Sequence, residues 1–129
     1  MAGDTPSARA AMRVLIVEDE DLIAMELEGL LEDGGYAIDG PVKTVAAALA
    51  AIRSRRPDAC VLDVNLRGEI SAPVAALLRE TGVPFLLSSA YEQDTLGKHG
   101  AFHGVANIGK PVSPQKLLET LVLLLKSEA

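Results

Sequence analysis

The sequence predicts an α/β fold: a doubly wound parallel sheet of five strands covered by five helices. Short apolar runs alternate strictly with amphipathic segments along the chain, the pattern that strands and right-handed crossover helices produce. Val14-Leu15-Ile16-Val17 and Ala59-Cys60-Val61-Leu62 are continuous apolar runs, as in strands buried on both faces. At 129 residues the chain has the size of one domain with one core.

Each element has a local reason. The first strand is Val14–Val17. Asp19 or Glu20 can cap a helix running to about Glu32, whose apolar residues Leu22, Ile23, Met25, Leu27, Leu30 and Leu31 roughly follow helical spacing. Gly34-Gly35 ends it. The second strand spans Tyr36 to Val42, with Gly40-Pro41 making it irregular or an edge. Thr44 can cap an alanine-rich helix to about Arg55, and Pro57 breaks it before the third strand, Ala59–Leu62. A loop from Asp63 to Glu69 leads to a helix from about Ser71 to Glu80, with Pro73 in its first turn. Gly82 ends that helix, and Pro84 to Ser88 is the fourth strand. Glu92 to Lys98 is a short polar helix, and Gly104 to Ile108 is the fifth strand. Ser113 and Pro114 open the last helix, which runs to about Lys126. Residues 1–12, small and polar, are expected to be a disordered lead-in, and residues 13–127 the folded domain. With the last helix at the C-terminus, no attached output domain is expected.

Composition excludes several function classes. No apolar run approaches the roughly 20 residues that cross a bilayer, and the N-terminal stretch lacks the apolar centre of a secretory signal. Nothing in the sequence resembles a basic face for nucleic acid, and the net charge of -6 suits attraction of cations; neither nucleic acid nor a membrane is expected as a partner. Cys60, the single cysteine, lies in an apolar run and reads as a buried hydrophobe suited to a reducing cytoplasm.

In an open parallel sheet, ligands sit beyond the carboxyl ends of the strands. The residues just after each strand are therefore the informative ones. They are Glu18, Asp19 and Glu20 after the first, Asp63 after the third, Ser88 and Ser89 after the fourth, and Lys110 after the fifth. Clustered carboxylates repel one another unless a cation joins them, and Mg²⁺ suits an all-oxygen site. An aspartate can attack phosphorus and form an aspartyl phosphate. A lysine, a hydroxyl and a metal would supply the alignment and charge neutralisation that phosphoryl transfer needs.

The motifs Val14-Leu15-Ile16-Val17-Glu18-Asp19-Glu20, Val61-Leu62-Asp63-Val64-Asn65-Leu66, Ser89-Ala90-Tyr91 and Lys110-Pro111 resemble those of the receiver domain of two-component response regulators. The resemblance covers about Arg13 to Lys126. Leu66-Arg67-Gly68-Glu69, Pro73-Val74-Ala75 and Gly82-Val83-Pro84-Phe85 resemble the stand-alone receivers with a Phe-Ala-Thr-Gly-Tyr fourth strand, common in alphaproteobacteria. Here that motif is degraded to Leu87-Ser88-Ser89-Ala90-Tyr91.

The resemblance implies a flavodoxin-like sheet of order 2-1-3-4-5. It implies Asp63 as phosphoacceptor, with Glu18, Asp19, Asp63 and the backbone carbonyl of Asn65 holding Mg²⁺. It implies that Ser89 and Lys110 contact phosphoryl oxygens and that the Lys110–Pro111 bond is cis. The phosphoryl group would come from a phosphohistidine on a histidine kinase or histidine phosphotransfer protein. Output would pass to a downstream protein by contact, in a cytoplasmic phosphorelay, and a homodimer through the fourth and fifth helices is compatible with the family. Such a chain is a phosphorylated signalling protein that assists its own phosphotransfer and autodephosphorylation, not an enzyme of small molecules.

One departure stands out. Many receivers carry an aromatic switch residue three positions before the lysine, and this chain has Asn107 there. Tyr91, two residues after Ser89, is the aromatic candidate for that role.

Plainer readings compete. Glu18 to Asp21 could be a solvated acidic helix start. Asp63 and Asn65 could be turn residues, and Ser88 or Ser89 could simply satisfy backbone groups. Lys110 could be a surface lysine and Tyr91 plain packing. His99 and His103 lie in a glycine-rich polar stretch and read as surface residues, since no partner spacing supports a metal site. A degenerate receiver binding proteins without phosphate is the main alternative function. An aspartate-nucleophile phosphatase would want Asp at position 65, where this chain has Asn, and a flavin carrier would not place acids after the first strand.

Overall fold

The structure, a computed structural model, describes residues 12–90 and 100–128. Strand β1 (Arg13–Val17) is buried over its last four residues. Helix α1 (Asp21–Asp33) begins after Glu20 and stops at Gly34, burying Ala24, Leu27 and Leu31. Strand β2 (Ala37–Val42) follows, then helix α2 (Val45–Ser54), whose first turn is capped by Thr44 accepting from Ala47 N–H. Next come β3 (Ala59–Leu62), a short hairpin of β4 (Asn65–Leu66) and β5 (Glu69–Ile70), and helix α3 (Ala72–Glu80). Strand β6 (Phe85–Leu87) leads to a 3₁₀ turn at Gly100–Phe102 and helix α4 (Pro114–Glu128).

The main sheet is parallel, in the order β2-β1-β3-β6. Alternate strand residues feed two cores. Leu15, Val17, Cys60, Leu62 and Leu87 pack with Val45, Ala48 and Ile52 of α2 and Val74, Ala75 and Leu78 of α3. Val14, Ile16, Ala59, Val61 and Leu86 pack with Leu27 and Leu31 of α1 and Leu117 and Leu121 of α4. Two helices thus cover each face, which is why β1 and β3 read as unbroken apolar runs. Each of these fully buried leucines contributes on the order of 2 kcal/mol, so the sheet is held rigidly enough to fix what projects from its edge. Burial also pushes the Cys60 thiol pKa up, which leaves it inert.

The fifth place in the sheet is occupied more thinly than the apolar run Gly104–Ile108 suggests. It consists of one parallel bridge, Leu87 to Asn107, with Leu87 N–H donating to Ala106 O and Ile108 N–H to Leu87 O, both at 2.8 Å. Gly104 (φ 76°) and Gly109 (φ 77°) bend the chain on either side, so no longer ladder can form.

Strand β2 is an edge strand and irregular, its register against β1 shifting between Leu15 and Val17. Gly40, with φ 83°, causes this: a Cβ there would lie 2.8 Å from Val42 N and 2.9 Å from Ile16 O. The β4–β5 hairpin stands where the sequence suggested only a loop. Arg67 (φ 53°) and Gly68 (φ 85°) both take left-handed conformations, as a two-residue hairpin turn requires. The short helix expected at Glu92 to Lys98, the tail at 1–11, Tyr91 and His99 lie outside the described residues.

Candidate functional site

The carboxyl ends of β1 and β3 deliver the acidic groups. Glu18 stays in line with β1, its N–H donating to Val42 O at 3.0 Å, and its side chain is fully buried. Glu20 N–H donates to Glu18 Oε2 at 3.1 Å. Asp63 is pinned twice: its N–H donates to Val17 O at 2.9 Å, and its carbonyl accepts from the buried Ser71 hydroxyl at 2.6 Å. Asp19 is steadied by the hairpin, with Arg67 N–H donating to its Oδ2 at 3.0 Å. That bond helps offset the roughly 1 kcal/mol cost of a left-handed arginine. Gly68 N–H closes the turn onto Asn65 Oδ1 at 3.0 Å.

Lys110 arrives from the opposite side of the cleft, after the left-handed Gly109 and before a cis bond to Pro111. Its Nζ lies 3.2 Å from Asp63 Oδ2, 3.1 Å from Glu18 Oε1 and 3.5 Å from Glu20 Oε1. The cleft has a volume of about 280 Å³ and is lined by Asp19, Glu20, Asp63, Asn65, Arg67, Gly68, Ser89, Ala90 and Lys110. Ser89 lines it and Ser88 does not; the Ser88 hydroxyl is buried without a hydrogen bond.

The electrostatics are unbalanced. Burial raises the Glu18 pKa to about 7; the Glu20 N–H opposes this, Asp63 adds to it, and Lys110 opposes it. Burial likewise raises Asp63, against the pull of Lys110. Burial alone would lower Lys110, but Asp63 and Glu18 outweigh it and hold the ammonium above its ordinary pKa. Three carboxylates, Glu18, Glu20 and Asp63, therefore share one ammonium, and an uncompensated buried charge costs several kcal/mol.

The donor set fits a hard divalent cation. Glu18, Asp19 and Glu20 each offer an oxygen within 4.8 Å of the others. Glu18 Oε1 is buried and faces the Lys110 ammonium, 3.1 Å away. An all-oxygen acidic cluster with one ammonium beside it is a donor set that a hard cation such as Mg²⁺ would complete.

The structure thus brings Glu18, Asp19, Asp63, Asn65, Ser89 and Lys110 to one cleft. Three partners escaped the sequence reading. Ser71 stands where the sequence places a helix start, yet its hydroxyl holds the Asp63 carbonyl. The Arg67 N–H holds Asp19, and Asn107 holds Ser89: Ser89 N–H donates to Asn107 Oδ1 at 3.1 Å, and Asn107 Nδ2 donates to Ser89 O at 3.3 Å. Gly68 after Leu66-Arg67 was a signal for the hairpin; nothing local pointed to the other two. His103 is exposed and outside the cleft.

Residues 14–122 match the family model of the response regulator receiver domain. The chain is similar to the phyllosphere-induced regulator PhyR of Methylorubrum extorquens, 37% identical over 95 residues, covering 71% of this chain and 36% of PhyR. It is 31% identical over 127 residues to the transcriptional regulatory protein PdtaR of Mycobacterium tuberculosis, covering 95% of this chain and 62% of PdtaR. The chain thus spans less than two thirds of either relative. Among solved structures it resembles the BeF₃-activated conformation of SdrG from Pseudomonas melonis Fr1, with TM-score 0.73 and 38% identity over 88% of this chain and 95% of that one.

Proposed function

Because the chain belongs to the response regulator receiver family, we propose that Asp63 accepts a phosphoryl group from a phosphohistidine on a histidine kinase or phosphotransfer protein. The observation that carries this is the Asp63 carboxylate, pinned at the cleft with the Lys110 ammonium 3.2 Å away. An Asp63 oxygen attacks phosphorus, the phosphorus–nitrogen bond breaks, and the imidazole leaves with the electron pair. Lys110 turns from the carboxylates towards the new phosphoryl oxygens, and the Ser89 hydroxyl donates to another. Glu18, Asp19, Asp63 and the Asn65 carbonyl would hold Mg²⁺, which supplies charge neutralisation on the transferring oxygens.

The added charge biases a pre-existing equilibrium of the segment after β6 and the fifth sheet segment, altering a protein-binding surface. Tyr91 is the aromatic candidate for following that change, and its substitution by alanine should weaken phosphate-dependent partner binding. An acidic chain with a buried thiol suits a cytoplasmic signalling role. Among the described residues no helix is long and apolar enough to cross a membrane.

Beryllofluoride with Mg²⁺, which mimics an aspartyl phosphate, should shift the amide resonances of Ser89 and Lys110 in the wild type and leave Asp63→Ala unmoved. Identical spectra with and without beryllofluoride would favour a phosphate-independent binding module.

A further inference from the structure

Asn107 stands where the next backbone hydrogen bonds of the fifth sheet segment would be. The bonds from Leu87 N–H to Ala106 O and from Ile108 N–H to Leu87 O begin a parallel ladder. Such a ladder would continue through Ser89 N–H to the neighbouring main chain and back to the Ser89 carbonyl. Gly109 prevents this, because its φ of 77° turns the main chain away as it delivers Lys110 to the cleft. The Asn107 side chain fills the gap. Its Oδ1 accepts from Ser89 N–H at 3.1 Å, and its Nδ2 donates to Ser89 O at 3.3 Å. The same Oδ1 accepts from Gly109 N–H at 2.9 Å. A carboxamide carries the donor and acceptor of a peptide group, so it can replace a strand residue while the real main chain goes elsewhere. An aromatic ring at this position could make none of these bonds.

One side chain therefore joins the two segments that bear the hydroxyl and the ammonium of the cleft. We propose that Asn107 is a positioning residue: its carboxamide locks the Ser89 backbone to the Gly109–Lys110 turn, so that hydroxyl and ammonium reach a phosphoryl group on Asp63 as a unit. The inference rests on the reading of Asp63 as phosphoacceptor. A purely structural Asn107 would also satisfy Ser89's backbone groups, but it would not make the contributions of Ser89 and Asn107 to transfer depend on each other.

The test is a double-mutant cycle on the rate of phosphate uptake from acetyl phosphate with Mg²⁺, read by intact mass. Ser89→Ala and Asn107→Ala should each slow uptake about tenfold, and the double variant about tenfold as well rather than a hundredfold. Amide exchange at Ser89 and Gly109 in the unphosphorylated chain should quicken at least about tenfold in Asn107→Ala, while Mg²⁺ affinity stays within about twofold of wild type. Asn107→Leu, similar in volume and without donor or acceptor, takes the place of Asn107→Ala if the latter does not fold. Losses that multiply, or unchanged exchange at Ser89 and Gly109, overturn the inference while leaving the Asp63 reading intact. No uptake by the wild type overturns both.

Discussion

The Ser71 hydroxyl donates a 2.6 Å hydrogen bond to the backbone carbonyl of Asp63, and both residues are buried. The start of α3 therefore holds the main chain from which the candidate acceptor projects. Ser71→Ala would leave that carbonyl short of a partner, so urea unfolding should show a loss of about 1–3 kcal/mol. Phosphate uptake should slow as Asp63 loses its fixed direction. Unchanged stability would mean that another group or water replaces the hydroxyl without cost.

Glu18 gives a pH prediction with a definite sign. Its folded pKa is raised from 4.5 to about 7, so the folded chain binds a proton that the unfolded chain has released. Its contribution to metal-free stability therefore falls as pH rises from 4.5 to about 7. Asp63, raised in the same direction, adds to this loss. Mg²⁺ should restore the stability by pairing with the ionised carboxylates. Thermal melts should show a larger Mg²⁺-induced rise in Tm above this window than below it; an equal rise on both sides would contradict the account.

Under the proposed function Lys110 has two opposed roles, and removing it should separate them. Lys110→Met leaves Glu18 and Asp63 without their shared ammonium. Mg²⁺ affinity should rise severalfold, because a competing positive charge is gone. Phosphate uptake should nevertheless fall by about tenfold or more, because a donor to the transferring group is lost. Calorimetric titration and intact mass read the two effects separately. A parallel fall of both would mean that the lysine supports the site only structurally.

Gly40 tests the frame rather than the chemistry. Alanine there meets backbone atoms at 2.8 and 2.9 Å with φ at 83°, so Gly40→Ala should cost about 2 kcal/mol or more in urea unfolding. The strain falls beside Val42, whose carbonyl accepts from Glu18 N–H, so Mg²⁺ binding should weaken as well.

Much of the site was legible because burial on both faces makes β1 and β3 unmistakable. Once Val14–Val17 and Ala59–Leu62 are strands, Glu18, Asp19 and Asp63 must emerge at one edge. The fifth strand was legible as an apolar run but not as a single bridge, since its ladder is cut by the conformations of Gly104 and Gly109. The hairpin escaped because its strands are two residues each, too short to show alternation. Asn107 was visible only as a departure from an aromatic. Its work is side-chain pairing with a backbone 18 positions away, and no local pattern reports that. Ser71 was hidden for the same reason, acting across 8 positions on a carbonyl.

A divalent cation gathered by the acidic cluster, together with the Lys110 ammonium, is what would make the Asp63 carboxylate receptive to phosphorus. Incubation with acetyl phosphate, followed by intact mass and peptide mapping, tests it most directly. The expected result is one phosphate on the peptide containing Asp63, dependent on Mg²⁺, prevented by a chelator added beforehand and absent from Asp63→Asn. Phosphate on another residue, or none under conditions where Mg²⁺ demonstrably binds, would contradict it.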